Sequence, residues 1–417
     1  MRRVAGVHNN RMVSRDAALA FSLTRPPPGF IDDPYPWYAA LRGHDPVHPL
    51  EGGGMFLSRY DDALAVYRDA TRASSDKKVE FLPKFGRTPL YEHHTTSLVF
   101  NDPPLHTRVR RIIMGALNQR AIARMEADVL RLIERLLERM AELRELDFIE
   151  AFAARIPVEV IGNLLQVPHA ERAPLRGWSL AILSGLEPAP SPEALERGNR
   201  AVSDFVAYLR TLIEARRRRP GDRESDVLTR LIQGEQDGER LTETELHHQC
   251  IFLLNAGHET TTNLIGNGMW LLLRHPAELE RLRADPALVP SAIEEMLRYE
   301  GPIQLNNRRL VAPMVLGAAE LPSGTSITIG IGAVNRDPAQ FSDPERFDVG
   351  RRPNRHVAFG QGDHACAGMN VARLEGRIAF ARLLARFAAI EAAGEPVRDR
   401  RIRFRGFRTL PVRVRPA

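Results

Sequence analysis

The sequence predicts one large, mainly α-helical unit with a minor β region. Three observations carry that reading. Apolar residues recur at helical spacing over long stretches, one mid-chain stretch is apolar nearly all round, and alternating strand-like patterns stay short and late in the chain. Composition agrees: 417 residues, 43% hydrophobic and 26% charged, is globular usage and argues against a disordered or fibrous chain. Size alone allows two to three domains or one large fold. No repeat or low-complexity linker divides the chain, so residues 31–417 read as a single domain. Residues 1–30 read as a poorly ordered N-terminal extension.

In chain order, Ile122, Met125, Val129, Leu132, Ile133, Leu136, Leu137, Met140 and Leu143 form one wide apolar stripe with Glu and Arg opposite it. That is an amphipathic helix packed on a core. A similar helix over about residues 199–216 ends in the arginine run 216–219, where cations suit the negative end of the helix dipole. Thr242 followed by Glu245 is a capping box opening the all-round apolar helix, which belongs at the centre of a large protein. Ser291 with Glu294 is a second capping signal, and Gly301 and Pro302 close the helix it opens. Behind a turn at residues 321–324, Ser326, Ile327, Thr328 and Ile329 alternate as a strand, with a partner expected in residues 308–316. Residues 335–368, rich in Pro, Asp, Arg and Gly, form a long loop, and long loops inside compact folds are usually functional.

Several classes of protein are excluded early. Formal net charge is +6, yet lysine occurs only at Lys77, Lys78 and Lys84, so arginine supplies the rest. Without interleaved aromatic residues or a binding module, that excess reads as codon usage and solvated helix faces, and no nucleic-acid partner is expected. The N-terminus has basic residues but no apolar stretch behind them, and no window approaches the roughly 18 apolar residues of a membrane span. A cytoplasmic location follows as the expectation. Two cysteines, Cys250 and Cys366, suit neither a disulfide scaffold nor a thiol-rich zinc module. Cys250, in the apolar helix, reads as an inert core thiol, and the pairs His93–His94 and His247–His248 as surface or loop residues.

Cys366 is different. It sits in a glycine-dense turn, with Phe359, His364 and Gly368 around it, just ahead of a helical stretch. A turn entering a helix offers N–H donors and a positive dipole end to a thiolate, and glycines there let backbone approach a flat ligand. Glu295 and Arg298, three apart, share a helix face and can pair. His258-Glu259 suggests the zinc motif H-E-x-x-H, but Thr262 stands where the second histidine is needed. A hydroxyl at Thr260 can bond a carbonyl one turn back, and Gly257 leaves room against the helix wall. His106 and Arg110, four apart, present two groups suited to a carboxylate on one helix face.

These segments, in this order, resemble the cytochrome P450 family. Residues 359–368, FGQGDHACAG, match its haem-thiolate loop F-x-x-G-x-[HR]-x-C-x-G at every specified position. Glu295-Met-Leu-Arg298 resembles the family's E-x-x-R pair, which locks to an arginine of the later loop, here Arg346. Residues 256–260 resemble the segment A-G-x-[DE]-T that lies over the distal haem face. The resemblance, which spans residues 33 to 414, implies a P450 fold whose long central helix and cysteine-loop helix sandwich haem b. It implies Cys366 as the iron ligand and Glu259 and Thr260 as the catalytic pair delivering protons to bound dioxygen. His106, Arg110, Arg308 and His364 would hold the haem propionates, while Ala256, Gly257, Phe359 and Gly368 frame the haem. Leu105 stands where the family often has an acid.

The function so implied is a monooxygenase of the soluble bacterial type that hydroxylates a hydrophobic small molecule. Leu98, Val99, Asn255, Ala256, Ile303 and residues 180–186 are expected to line its pocket. Asn255 either satisfies a neighbouring backbone group or bonds a substrate oxygen. No flavin or ferredoxin module follows residue 417, so a separate ferredoxin or flavodoxin with its NAD(P)H-dependent reductase is expected to supply electrons. Arg110, Arg111, Arg355, Arg373 and Arg377 would form the docking face on a monomeric enzyme. A peroxygenase, a desaturating or coupling enzyme on the same fold, and a gas-binding haem protein stay open as alternatives.

Overall fold

The structure, a computed structural model, describes residues 13–222, 226–236 and 239–417. It is mainly helical, and the 32-residue helix Glu243–Arg274 runs through its centre, buried on all sides. Its start is the capping box read from sequence: Glu245 N–H donates to Thr242 Oγ1 at 3.2 Å, and Thr242 N–H donates to Glu245 Oε2 at 2.8 Å. Around it pack Arg155–Leu164, Leu175–Ser184, Pro192–Arg218, Val289–Tyr299 and Met369–Arg386. The amphipathic helix spans Gln119–Leu143, and most of its stripe lies in the large core, though Leu143 at its end is exposed.

The β structure sits to one side. A five-stranded sheet runs Val47–Leu50, Gly54–Leu57, Ser326–Gly330, Leu305–Leu310, Ala73–Ser74. Ser326–Gly330 pairs antiparallel with Leu305–Leu310, with Ile327 opposite Arg308, so the partner strand begins earlier than residues 308–316 would place it. A second sheet places Pro411–Pro416 between Phe387–Ala392 and Glu145–Asp147. Residues 335–361 hold neither helix nor strand, so the long loop read from sequence is present.

Two expectations are corrected. Residues 13–30 are no loose extension: Phe21, Leu23 and Phe30 are buried against Tyr35, Tyr38 and Phe56, because an aromatic run of this size gains by joining a core. Residues 1–12 lie outside the described residues. Ser291 does not cap its helix either. The helix begins at Val289 with Pro290 in its first turn, and Ser291 Oγ donates to Leu288 O at 2.9 Å.

Candidate active site

The central helix, the cysteine loop and the helix that follows it enclose a cavity. With its mouth it holds about 1890 Å³ of empty space. Much of that is open to solvent, and the enclosed volume of about 310 Å³ falls at the lower end of the roughly 300–1,000 Å³ of ligand pockets. Cys366, Phe359, Gly360, His364 and Gly368 line it from the loop, and Asn255, Ala256, Gly257 and Thr260 from the central helix. Leu98, Val99, Leu183, Leu186 and Ile303 complete apolar parts of the wall. Cys250 is fully buried in the core, outside the cavity wall.

The loop is built to present a sulfur. Cys366 N–H donates to Phe359 O at 2.9 Å, which closes the turn. Burial pushes the Cys366 thiol up, while the Gly368 N–H, Arg110 and Arg373 pull it the other way. A Cβ on Gly368 would meet nothing within 4 Å, as at a wall facing open space. Gly362 has another reason to be glycine: φ is +69°, and a Cβ would come within 2.4 Å of Tyr67 O. It answers to packing against the helix Tyr60–Arg68 rather than to a flat ligand, a correction to the sequence reading.

Beside the sulfur lies a basic group. The His106 and His364 rings stack with centroids 3.9 Å apart, and His364 Nε2 is 3.8 Å from Asp102 Oδ1. Burial would raise the Asp102 carboxyl, but His364 nearby and hydrogen bonds from Ser74 and the Ser75 N–H hold it well below the usual carboxylate range. Burial first, then His364 and Arg110, lowers His106 to about 4. His106 Nε2 has no partner, and Arg110 spends one N–H on Ala365 O at 2.7 Å. Arg308 lies outside the cavity wall, over the Tyr67 ring, donating to Asn307 O at 2.8 Å. It still acts on Asp102 and His364 electrostatically.

On the central helix, Thr260 Oγ1 donates to Ala256 O at 2.7 Å, the back-bond its position allows. Glu259, one residue earlier, points elsewhere: it is buried outside the cavity wall and paired with Arg401, with Oε2 left without a partner. The space beside Gly257 is filled by protein. A Cβ there would stand 2.7 Å from Ile161 Cδ1, so the missing side chain admits a neighbouring helix rather than a ligand. Asn255 departs from the first reading offered for it, since it satisfies no backbone group. Its Nδ2 lies 3.3 Å from His93 Nε2, and its Oδ1 is unpartnered.

Outside the cavity, Glu295 and Arg298 are fully buried and joined by two hydrogen bonds of 2.7 and 2.8 Å. Arg298 also donates to the carbonyls of Asn335, Pro344 and Arg346. The third side chain is Arg351, not Arg346: Arg351 Nε donates to Glu295 Oε1 at 3.1 Å, and Arg346 offers only its carbonyl. Phe347, Val349 and Arg351 face inward on alternate positions, which leaves Arg346 on the solvent side. That parity is the sequence signal which distinguishes the two arginines.

Three cavity residues had no signal of their own. His93 and His94 are buried and line the wall because the helix Pro89–Thr96 packs on the central helix, so they are not surface groups. His247 and His248 are buried as well. Glu375, on Met369–Arg386, is a cavity carboxyl whose Oε2 has no partner, and burial holds it up at about 8. Arg373 also differs from its expected role. It is bound in bidentate fashion by Glu294 at 2.8 and 2.7 Å and lies over Phe359, so it is not a docking charge.

A half-buried cysteine on a glycine turn, opposite a long helix with a hydroxyl in its wall, defines a haem-thiolate protein of the oxygen-activating kind. Comparison with known proteins agrees. The family model for cytochrome P450 matches residues 187–414. Cytochrome P450 107B1 of Saccharopolyspora erythraea is 40% identical over 399 residues, covering 92% of this chain and 96% of that protein. The cytochrome P450 monooxygenase PikC of Streptomyces venezuelae is 37% identical, covering 93% and 92%. Among solved structures, P450BioI in complex with hexadec-9Z-enoic acid ligated acyl carrier protein superposes with a TM-score of 0.87 at 32% identity, covering 92% of this chain and 99% of that one. The chain belongs to the cytochrome P450 family, and it is a monooxygenase that acts on small molecules. Among the described residues, no helix is long and apolar enough to cross a membrane.

Proposed function

We propose that this chain hydroxylates a hydrophobic small molecule as a monomeric cytoplasmic enzyme. Its electrons come from a ferredoxin or flavodoxin whose reductase draws on NAD(P)H. One observation carries the reading: Cys366 and Thr260 stand in the wall of one largely apolar cavity. Bound there, haem supplies activation of dioxygen and insertion of one oxygen atom into the substrate. The residues present fit the group. Cys366 Sγ would hold the iron as a thiolate, with Gly368 N–H, Arg110 and Arg373 opposing the burial penalty. The unpartnered His106 Nε2 and the Arg110 guanidinium would hold the propionate carboxylates, with His364 beside them and Arg308 adding charge from behind. Gly360 and Gly368 keep that wall low, and Phe359 shields the sulfur.

Thr260 holds a proton at Oγ1, parked on the Ala256 carbonyl, and passes it toward the cavity through water. Glu259 sits behind it as the acid that resupplies that proton, and Arg401 holds its carboxylate until it turns inward. Leu98, Val99, Leu183, Leu186 and Ile303 exclude water and take the substrate's apolar body. The exposed Arg111, Arg355 and Arg377 offer a positive face to an acidic electron carrier. If Arg111→Glu with Arg377→Glu leaves carrier-supported turnover unchanged at low salt, that docking face is wrong.

The test of the site is the spectrum of the reduced, CO-bound protein. A thiolate ligand gives a red-shifted band that Cys366→Ala abolishes, and a band that survives in the variant refutes the assignment. Turnover with hydrogen peroxide alone, at the rate the full electron chain supports, would favour a peroxygenase instead.

A further inference from the structure

One corner of the cavity is polar. His93 and His94, from Pro89–Thr96, and Asn255, from the central helix, meet there, and each is at least nine-tenths buried. His93 Nδ1, His94 Nε2 and Asn255 Oδ1 have no hydrogen-bond partner. Buried polar atoms are nearly always paired, and three orphans in one corner of a binding cavity mark a place that a ligand completes.

The contact between Asn255 and His93 fixes what that ligand must offer. If Asn255 Nδ2 donates to His93 Nε2, the imidazole carries its proton on Nδ1; the pair then presents Nδ1–H as a donor and Oδ1 as an acceptor. With the amide turned over, Oδ1 accepts from Nε2–H, leaving an amide N–H donor and the Nδ1 acceptor. Either arrangement leaves one donor and one acceptor. A hydroxyl answers both at once.

Charge narrows the class further. Burial holds His94 down at about 3 and His93 well below its ordinary value, so both rings are neutral. Lys84, His248 and Arg403 face His94, which disfavours a cationic ligand. Neither of the two nearby basic groups is available to pair with a carboxylate, and burial lowers the Lys84 ammonium to about 7. Lys84 Nζ donates to Glu187 O at 2.7 Å, and Arg403 donates to Leu186 O, Leu305 O and Asn307 Oδ1. The Glu187 carboxylate lies within electrostatic reach of both.

We propose that Asn255 and His93, with His94 beside them, form a subsite for an uncharged hydroxyl of the substrate, so the enzyme takes hydrophobic alcohols. The proposal rests on the monooxygenase reading and names the substrate class for that site. It makes Asn255 and His93 specificity residues, since the remaining wall is apolar and distinguishes shape more than chemistry.

The test is calorimetric titration of the haem-loaded protein with dodecane, dodecan-1-ol and dodecanoate, which share a chain and differ at one end. The alcohol binds about tenfold more tightly than the alkane, as two buried hydrogen bonds require, and more tightly than the carboxylate. Asn255→Leu and, separately, His93→Phe bring the alcohol and alkane within about twofold of each other. Equal binding of alcohol and alkane by the wild type, or preference for dodecanoate, overturns the proposal. So does an alcohol preference that survives in either variant. The wild-type series decides even where a variant fails to fold. Loss of the red-shifted CO band in the wild type would instead overturn the monooxygenase reading itself.

Discussion

The ion pair Glu295–Arg298 behind the cysteine loop and the polar groups buried around the cavity are treated in opposite ways. Behind the loop, Glu295 accepts from Arg298, Arg351, Asn354 and the Asp348 N–H, and Arg298 spends its remaining donors on three carbonyls. Both side chains are saturated. Around the cavity, His93, His94, His106, Asn255 and Glu375 each keep a buried atom without a partner. A saturated network has one low-energy arrangement and fixes the backbone beside it, whereas an unsaturated wall is completed by what binds. The loop that presents Cys366 is therefore held from behind by stability groups, and the groups that meet ligands stand in front.

The widest separation between the two regions comes from Cys366→Ala. Removing the iron ligand abolishes oxygenation and the red-shifted CO band, yet leaves the network behind it intact. The urea unfolding midpoint of the haem-free chain moves little, and a large shift would mean that the sulfur also supports the fold.

Arg298→Ala gives the reverse pattern. It strands a fully buried Glu295 and three carbonyls, and breaking a buried ion pair from one side costs about 3–5 kcal/mol. Unfolding in urea checks it, together with the loss of haem content as the loop loosens. Within the same network, Arg351→Ala costs about 1.5–3 kcal/mol for a lost charged hydrogen bond, while Arg346→Ala stays within about 0.5 kcal/mol because only its carbonyl takes part. Equal losses at 346 and 351 would restore the role that the family resemblance implied for Arg346.

That pair shows how far the sequence carried. The cysteine loop and the capping box were legible because each is a local rule of backbone chemistry, satisfied within ten residues. Glu295 and Arg298 were legible as one helix face. Their partner was not, because choosing between Arg346 and Arg351 needs the inward parity of Phe347 and Val349, which an irregular loop does not advertise. His93 and His94 read as surface or loop residues because the sequence offers them no partners at ligand spacing. Their burial comes from the central helix, some 160 positions away in the chain. Glu259 and Thr260 were legible as neighbours, but a helix turns about 100° per residue, so only Thr260 reaches the cavity.

Thr260→Ala probes the cavity side alone. Without the hydroxyl the last proton carrier is gone, and relays of this kind contribute at least about 10²-fold. Product formed per NAD(P)H consumed falls by that order, while the affinity for substrate and the urea midpoint stay near wild type. A fall in stability matching the fall in product would place Thr260 with the structural groups instead.

The last expected effect is one of pH, and it comes from Glu375. Burial holds this carboxyl up at about 8, against an ordinary value near 4.5. Between those values the folded chain keeps a proton that the unfolded chain has released, so unfolding gives up a proton and stability falls as pH rises. The slope is at most about 1.4 kcal/mol per pH unit, present above roughly pH 4.5 and fading as pH approaches 8, where the folded carboxyl also ionises. Glu375→Gln keeps the shape, cannot ionise, and removes that contribution. Urea midpoints for wild type and variant should therefore coincide near pH 4 and separate toward pH 8, with the variant the more stable. Curves that run parallel across the range would mean that Glu375 is ionised in the folded protein, paired with a group the cavity brings to it.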